Sequence, residues 1–316
     1  MLFLLAFLPI CVALKDADIV KLVNNLQLDS IAPEGSILEP LLEVRPPGSL
    51  GIENVRKFLI REFESLNYTM TIDAFTADTP LGPIPMANLI AQSPATFETE
   101  LQDHSLPPPW SFWGAHYDSK LVPEGMVGAI DSSVPCALML FAAKALANAG
   151  LPAPPVKFVF FDGEEAIDTW TDTDSLYGAR HYAENYELPP ALVLFDLIGA
   201  TPKHLMPSWF GETYSWHRDL ARLNQKLVQM KLMKYMLVTD ITEFHAMSGR
   251  MIDDHTPFWV RGVPCLHFIP PVFPPQWHTI NDNAKNLDQQ AVRDWAILVT
   301  TWLAHYQGSA STHDEL

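Results

Sequence analysis

Two adjacent glutamates, Glu164 and Glu165, follow the apolar run Val156–Phe161 in the segment VKFVFFDGEEA, where a buried strand is expected to stop. Neighbouring residues at a strand end can point different ways, so one carboxylate can hold a metal while the other handles protons. Two like charges beside a buried run repel each other unless a cation or a shared proton offsets them. That division of labour suits metal-assisted chemistry on a carbonyl.

Other groups of the same kind recur where apolar runs give way to turns. His116 and Asp118 close SFWGAHYD, Asp131 opens DSSVPCALMLFAAKALA, Asp196 ends ALVLFD, and His278 lies in PPQWHT. In open α/β sheets the binding crevice forms outside the carboxyl ends of the strands, so these positions read as one site. Singly, each has a plainer explanation. Asp131 before Ser132 makes a good helix N-cap, His116 could be a satisfied core histidine, and Asp118 a turn former. The donor types suit zinc, which takes three protein ligands in a catalytic site and leaves one position open. No cysteine pair stands at finger spacing, and no single loop gathers the oxygens that calcium wants.

The elements that must position these groups are legible as apolar runs. Strands are expected near Met86–Ala91, Ser111–His116, Val156–Phe161, Ala191–Phe195 and Cys265–Ile269, and helices near Ile52–Leu66, Val134–Ala149, Thr213–Met230 and Gln289–Tyr306. Prolines punctuate the joins at 107–109, 152–155, 189–190 and 270–275. The alternation predicts an α/β fold: a single domain with a central, mostly parallel mixed sheet and helices on both faces.

Eight motifs in order, WGAHYDSK, DSSVPC, FFDGEEA, DSLYGARH, FDLIGA, DDHTPF, RGVPCLHFIP and WHT, resemble the glutaminyl-peptide cyclotransferases, which share a fold with the dizinc aminopeptidases. The resemblance spans roughly residues 40–305. It implies one zinc per chain on Asp131, Glu165 and His278, with Glu164 as the proton shuttle. It also implies that Asp196 orients the substrate amide and shares a hydrogen-bond network with Asp253, that His267 belongs to the active-site wall, and that Trp170, Trp277 and Phe273 line the pocket. The implied substrates are peptides and proteins with N-terminal glutamine. Animal members carry a cysteine just before the counterpart of His116, bonded to the counterpart of Cys136. Ala115 stands there in this chain, so Cys136 and Cys265 are expected as free buried thiols.

Composition and the termini add context. A net charge of −17, from 20 Lys and Arg against 37 Asp and Glu, argues against a nucleic-acid partner, because phosphate binding needs a basic face. Residues 1–13, MLFLLAFLPICVA, read as a secretory signal too short to span a bilayer, so no stable membrane insertion is expected. A domain at 14–306 and a polar tail at 307–316 follow. The tail ends in HDEL, a receptor-read address for retention in the endoplasmic reticulum lumen. In that setting Asn67-Tyr68-Thr69 is a glycosylation sequon. Three functions fit at this level: glutaminyl cyclisation, a zinc aminopeptidase using His116, Asp196 and a bridging Asp131 for a second metal, and a catalytically idle lumenal binding protein retained by HDEL.

Overall fold

The alternating faces of the apolar runs bury themselves on two sides of one sheet. In the computed structural model, which describes residues 14–95, 110–242 and 251–308, six strands are β1 (Thr69–Thr79), β2 (Gly82–Gln92), β3 (Phe112–His116), β4 (Lys157–Phe161), β5 (Leu192–Phe195) and, later in the chain, β8 (Cys265–Phe268). Their order is β1-β2-β4-β3-β5-β8. The four strands β4, β3, β5 and β8 run parallel, and the β1–β2 hairpin is added antiparallel along β4. Two short strands, β6 (Met206–Ser208) and β7 (Val238–Thr242), form a separate parallel pair.

Trp113, Phe158, Phe160, Val193, Phe195 and Phe268 pack on one side, in a layer with α1 (Asp16–Asn24), α2 (Leu50–Glu64), α3 (Val134–Asn148), α5 (Tyr214–Gln229) and α7 (Gln289–Gly308). Their strand neighbours Phe112, Val159, Phe161, Leu192, Leu194 and Cys265 face the other way, onto Ala179 and Ala183 of α4 (Tyr177–Asn185) and Phe258 of α6 (Thr256–Trp259). Strands covered on both faces read as continuous apolar runs, which is why these were legible in the sequence. The stretch Ala129–Asn148 is long and apolar enough to cross a membrane, but 89% of its apolar window is buried in this core.

The expected strands and helices all appear, with ends shifted by a few residues. The edge strand β1, the short strands β6 and β7, and helices α1, α4 and α6 were not anticipated. α7 runs to Gly308, slightly past the expected domain end. Residues 1–13, Pro107–Pro109 and the HDEL tail lie outside the described residues.

Parallel strands β3 and β5 send the chain to opposite sides of the sheet, because β4 lies on one flank of β3 and β5 on the other. A crevice opens at such a reversal. His116 is the last residue of β3, Glu164 and Glu165 come three and four residues after the end of β4, and Asp196 directly follows β5.

Candidate metal centre and catalytic pocket

Asp131, Glu165 and His278 converge although they come from three distant segments. One ligand atom of each lies within 4.8 Å of the others. His278 Nε2 stands 3.2 Å from Glu165 Oε1 and 3.6 Å from Asp131 Oδ2. Both of those oxygens are buried and without a hydrogen-bond partner. Buried carboxylate oxygens are ordinarily satisfied, so an orphaned pair facing an imidazole fits a cation between them. The donor set, two carboxylate oxygens and one imidazole nitrogen, is one that zinc accepts.

Each ligand is held by local structure. Asp131 does not cap α3: the cap position falls on Ser133, no side chain caps the helix, and Pro135 sits in the first turn. The loop before Asp131 turns at Gly128, whose φ of 65° and approach to Asp131 O leave no room for a Cβ. Asp282 steadies the same loop by accepting from Ile130 N at 2.8 Å. After β4 the chain turns at Gly163, with φ 67° and the Met86 sulfur where a Cβ would stand. The Asp118 carboxylate then accepts from Glu164 N at 3.1 Å and Glu165 N at 3.2 Å. Asp118 therefore fixes the backbone from which the two glutamates diverge. His278 takes a left-handed φ of 54°, a conformation uncommon outside glycine, and stacks on Trp277 with ring centroids 3.9 Å apart.

The two glutamates have different surroundings. Burial would raise the Glu165 carboxyl, but the close approach of His278 and the charges of His278 and Lys120 outweigh it and hold the group below its usual range. Lys120 Nζ lies 2.9 Å from Glu165 Oε2. Glu164 is outside the converging trio. Burial first, and then the charges of Glu165, Asp253 and Asp254, push its carboxyl well above the usual range. Asp131 is pushed up to about 7, by burial first and by Glu165 next.

Glu164, Asp131, Asp196, Asp253, Trp170, Phe273, Trp277 and His278 line one cavity of about 660 Å³ together with Lys120 and Leu197. Phe273 meets Trp277 edge to face at 4.7 Å. Trp170 and Trp277 are each 37% exposed, so they form the mouth of the cavity as well as its wall.

One expectation needs correction. His267 does not line the cavity; it is buried behind Asp253, with Nε2 2.7 Å from Asp253 Oδ2. That contact draws the Asp253 carboxyl down to about 2 against the effect of burial. Asp196 and Asp253 share no direct hydrogen bond among the described residues. Asp196 Oδ1 accepts instead from Ser132 Oγ and from Leu197 N. The reason is topological, since Asp196 sits on a strand end beside the Asp131 loop while Asp253 sits on a loop leading to α6.

A second buried group, His116, Asp131 and Asp196, could also hold a metal by distance alone. His116 Nε2 lies 2.9 Å from Asp131 Oδ1 and 3.6 Å from Asp196 Oδ1, and Nδ1 lies 3.3 Å from Asp118. Burial opposes charge on this ring, but hydrogen bonds to Asp118, Asp131 and Asp196 outweigh it and raise His116 well above the ordinary histidine range. Cys136 and Cys265 are free and buried, and Cys136 donates to His116 O at 3.1 Å. Sequence reasoning gave no role to Lys120, Ser132, Asp254 or Asp282. The one available signal was the lysine two residues after Asp118, inside WGAHYDSK.

The model of peptidase family M28 matches residues 103–303. The mouse glutaminyl-peptide cyclotransferase-like protein is 37% identical over an alignment that covers 95% of this chain and 81% of its own length. The chain belongs to peptidase family M28 and to the glutaminyl-peptide cyclotransferase family. A bovine member named glutaminyl-peptide cyclotransferase is 32% identical, over 90% of this chain and 86% of its own. Among family members of known structure, the Macrostomum lignano glutaminyl cyclase is 32% identical, with a TM-score of 0.76 and 93% of each chain covered.

Proposed function

We propose that this chain cyclises the N-terminal glutamine of peptides and proteins to pyroglutamate, releasing ammonia, with one zinc held by Asp131, Glu165 and His278. The observation that carries the reading is the split between the two glutamates: Glu165 joins the converging ligand atoms while Glu164 faces the same cavity with a carboxyl that burial keeps ready to hold a proton. A bound zinc would supply Lewis-acid polarisation of the γ-carbonyl of the substrate.

The chain's own residues do the rest. The substrate's α-amine and γ-carbonyl belong to one residue, so closing the five-membered lactam needs orientation more than concentration. Glu164 takes a proton from the attacking amine as the new C–N bond forms. It returns that proton to the amide nitrogen as the old C–N bond breaks, so that ammonia leaves. Asp253, kept ionised by His267, and the second oxygen of Asp196 are acceptors for substrate N–H groups. Trp170, Trp277 and Phe273 exclude water, which would otherwise hydrolyse the same amide.

A single metal is favoured because the His116 position is already engaged by protein carboxylates. Its two nitrogens face Asp118 and Asp131, its affinity for a proton is raised, and Asp196 Oδ1 accepts from two protein donors. The competing reading, a two-metal aminopeptidase, draws on the short distances in that same group. The complete pocket with Glu164 in place speaks against an idle binding protein. Incubating the purified chain with a Gln-initiated and a Leu-initiated peptide tests the choice by mass. Loss of ammonia from the first, with no free glutamine, and an intact second peptide are expected. Two zinc ions per chain with release of free N-terminal residues would make it an aminopeptidase.

The N-terminal apolar segment and HDEL support retention in the endoplasmic reticulum lumen, with the HDEL receptor as partner. The sequon asparagine, Asn67, is exposed between α2 and β1 and so is open to a glycan in that compartment. Deleting His313–Leu316 should release the protein into the medium with its specific activity unchanged. Continued retention would mean that the N-terminal segment anchors it.

A further inference from the structure

The two oxygens of Glu165 are not equivalent. Oε1 is buried, has no hydrogen-bond partner and lies 3.2 Å from His278 Nε2. Oε2 is occupied by Lys120 Nζ at 2.9 Å. Among the described residues that line the cavity, Lys120 is the one with a fixed positive charge. The residue before it is pinned: Ser119 Oγ accepts from Arg45 N at 3.0 Å, and Ser119 N donates to Arg45 O at 3.2 Å. Arg45 is itself fully buried and donates to Tyr117 O at 2.7 Å and Gly128 O at 3.1 Å, which ties the strand end after β3 to the Asp131 loop.

A catalytic zinc with three protein ligands has one open position. A glutamate free to turn can bind through both oxygens, and the second oxygen would then take that position. We propose that Lys120 is a positioning residue for the metal centre, occupying Glu165 Oε2 so that Glu165 offers Oε1 alone and the fourth position stays open for the substrate's carbonyl. The inference rests on the zinc assignment proposed above. It extends that assignment to a residue that touches neither metal nor substrate carbonyl and acts through Glu165.

The test uses the full zinc-loaded chain with K120M, K120Q and K120R. Zinc-edge X-ray absorption gives the number and distance of the light-atom ligands, and steady-state kinetics on a Gln-initiated peptide gives kcat and KM separately. In K120M, Glu165 should become bidentate and the count of short zinc–oxygen contacts should rise. Turnover should drop about 10- to 100-fold, the range typical for residues that orient a ligand, with KM changing less than kcat. K120R should restore the wild-type absorption pattern and most of the turnover. Should K120M not fold, K120Q is read in its place. Wild-type coordination in the folded neutral variant, or a bidentate Glu165 in the wild-type chain, would overturn the proposal. A wild-type chain that binds no zinc would instead remove the metal assignment itself, and this shows before any lysine is changed.

Discussion

Two buried histidines show how differently this fold treats the same side chain. His217 on α5 is fully buried, forms no ion pair with a carboxylate among the described residues, and donates to the Thr239 carbonyl at 2.8 Å; burial pushes it down to about 4, against the backbone hydrogen bonds and the more distant charge of Asp240. His116 is as deeply buried at the end of β3, yet the carboxylates of Asp118, Asp131 and Asp196 reverse the sign and raise it. Burial alone therefore does not mark the active crevice. What marks it is burial together with several charged groups that cannot all be satisfied by protein, which is the condition a metal site needs.

The helical side of that comparison makes the larger prediction. His217 is neutral when folded and ordinary when unfolded, so the unfolded chain binds more protons between about pH 6.5 and 4. Stability should then rise with pH through this window and fall on acidification, by on the order of 3 kcal/mol at the acid end. Denaturant unfolding of the wild type and of His217→Asn at several pH values checks it. The variant should lose that part of the acid sensitivity, and equal acid sensitivity in both would show that His217 is not the group responsible.

On the crevice side, Asp118→Asn keeps the shape but loses the charge that orients His116 and an acceptor for the Glu164 and Glu165 amides. A fall of about 10- to 100-fold in zinc affinity or turnover is expected, with a much smaller change in the unfolding midpoint than an apolar core substitution gives. Metal titration and melting curves on the same sample separate the two. An Asp118→Asn chain with wild-type zinc affinity and turnover would mean that the backbone turn alone sets the glutamates.

How much of this could be read without coordinates depends on which force shapes each part. The inner strands β3, β4, β5 and β8 are apolar throughout because both faces are covered, so Ser111–His116 or Val156–Phe161 stood out. Strand β1 is an edge whose side chains are mostly exposed, with only Asp73 and Ala77 buried, and its sequence TMTIDAFTADT lacks a clear apolar face. Strand β6 and helix α6, at three and four residues, are too short for any period to show. In the site, the carboxylates and His278 were legible because strand ends and turn residues locate them. Lys120 against Glu165, Ser132 against Asp196 and Asp282 against Ile130 were not, because each contact joins segments 45 or more residues apart. His267 was placed on the wall by the family resemblance alone, but on β8 it sits a layer deeper, behind Asp253.

The division of labour between two adjacent carboxylates is tested most directly by zinc content, measured side by side in Glu164→Gln and Glu165→Gln. Glu164→Gln should keep about one zinc per chain while turnover drops on the order of 10²-fold or more, because only the proton transfer is lost. Glu165→Gln should lose zinc and turnover together, since three ligands leave none to spare. Loss of zinc from Glu164→Gln, or full zinc in Glu165→Gln, would contradict the assignment and exchange the roles of the two residues.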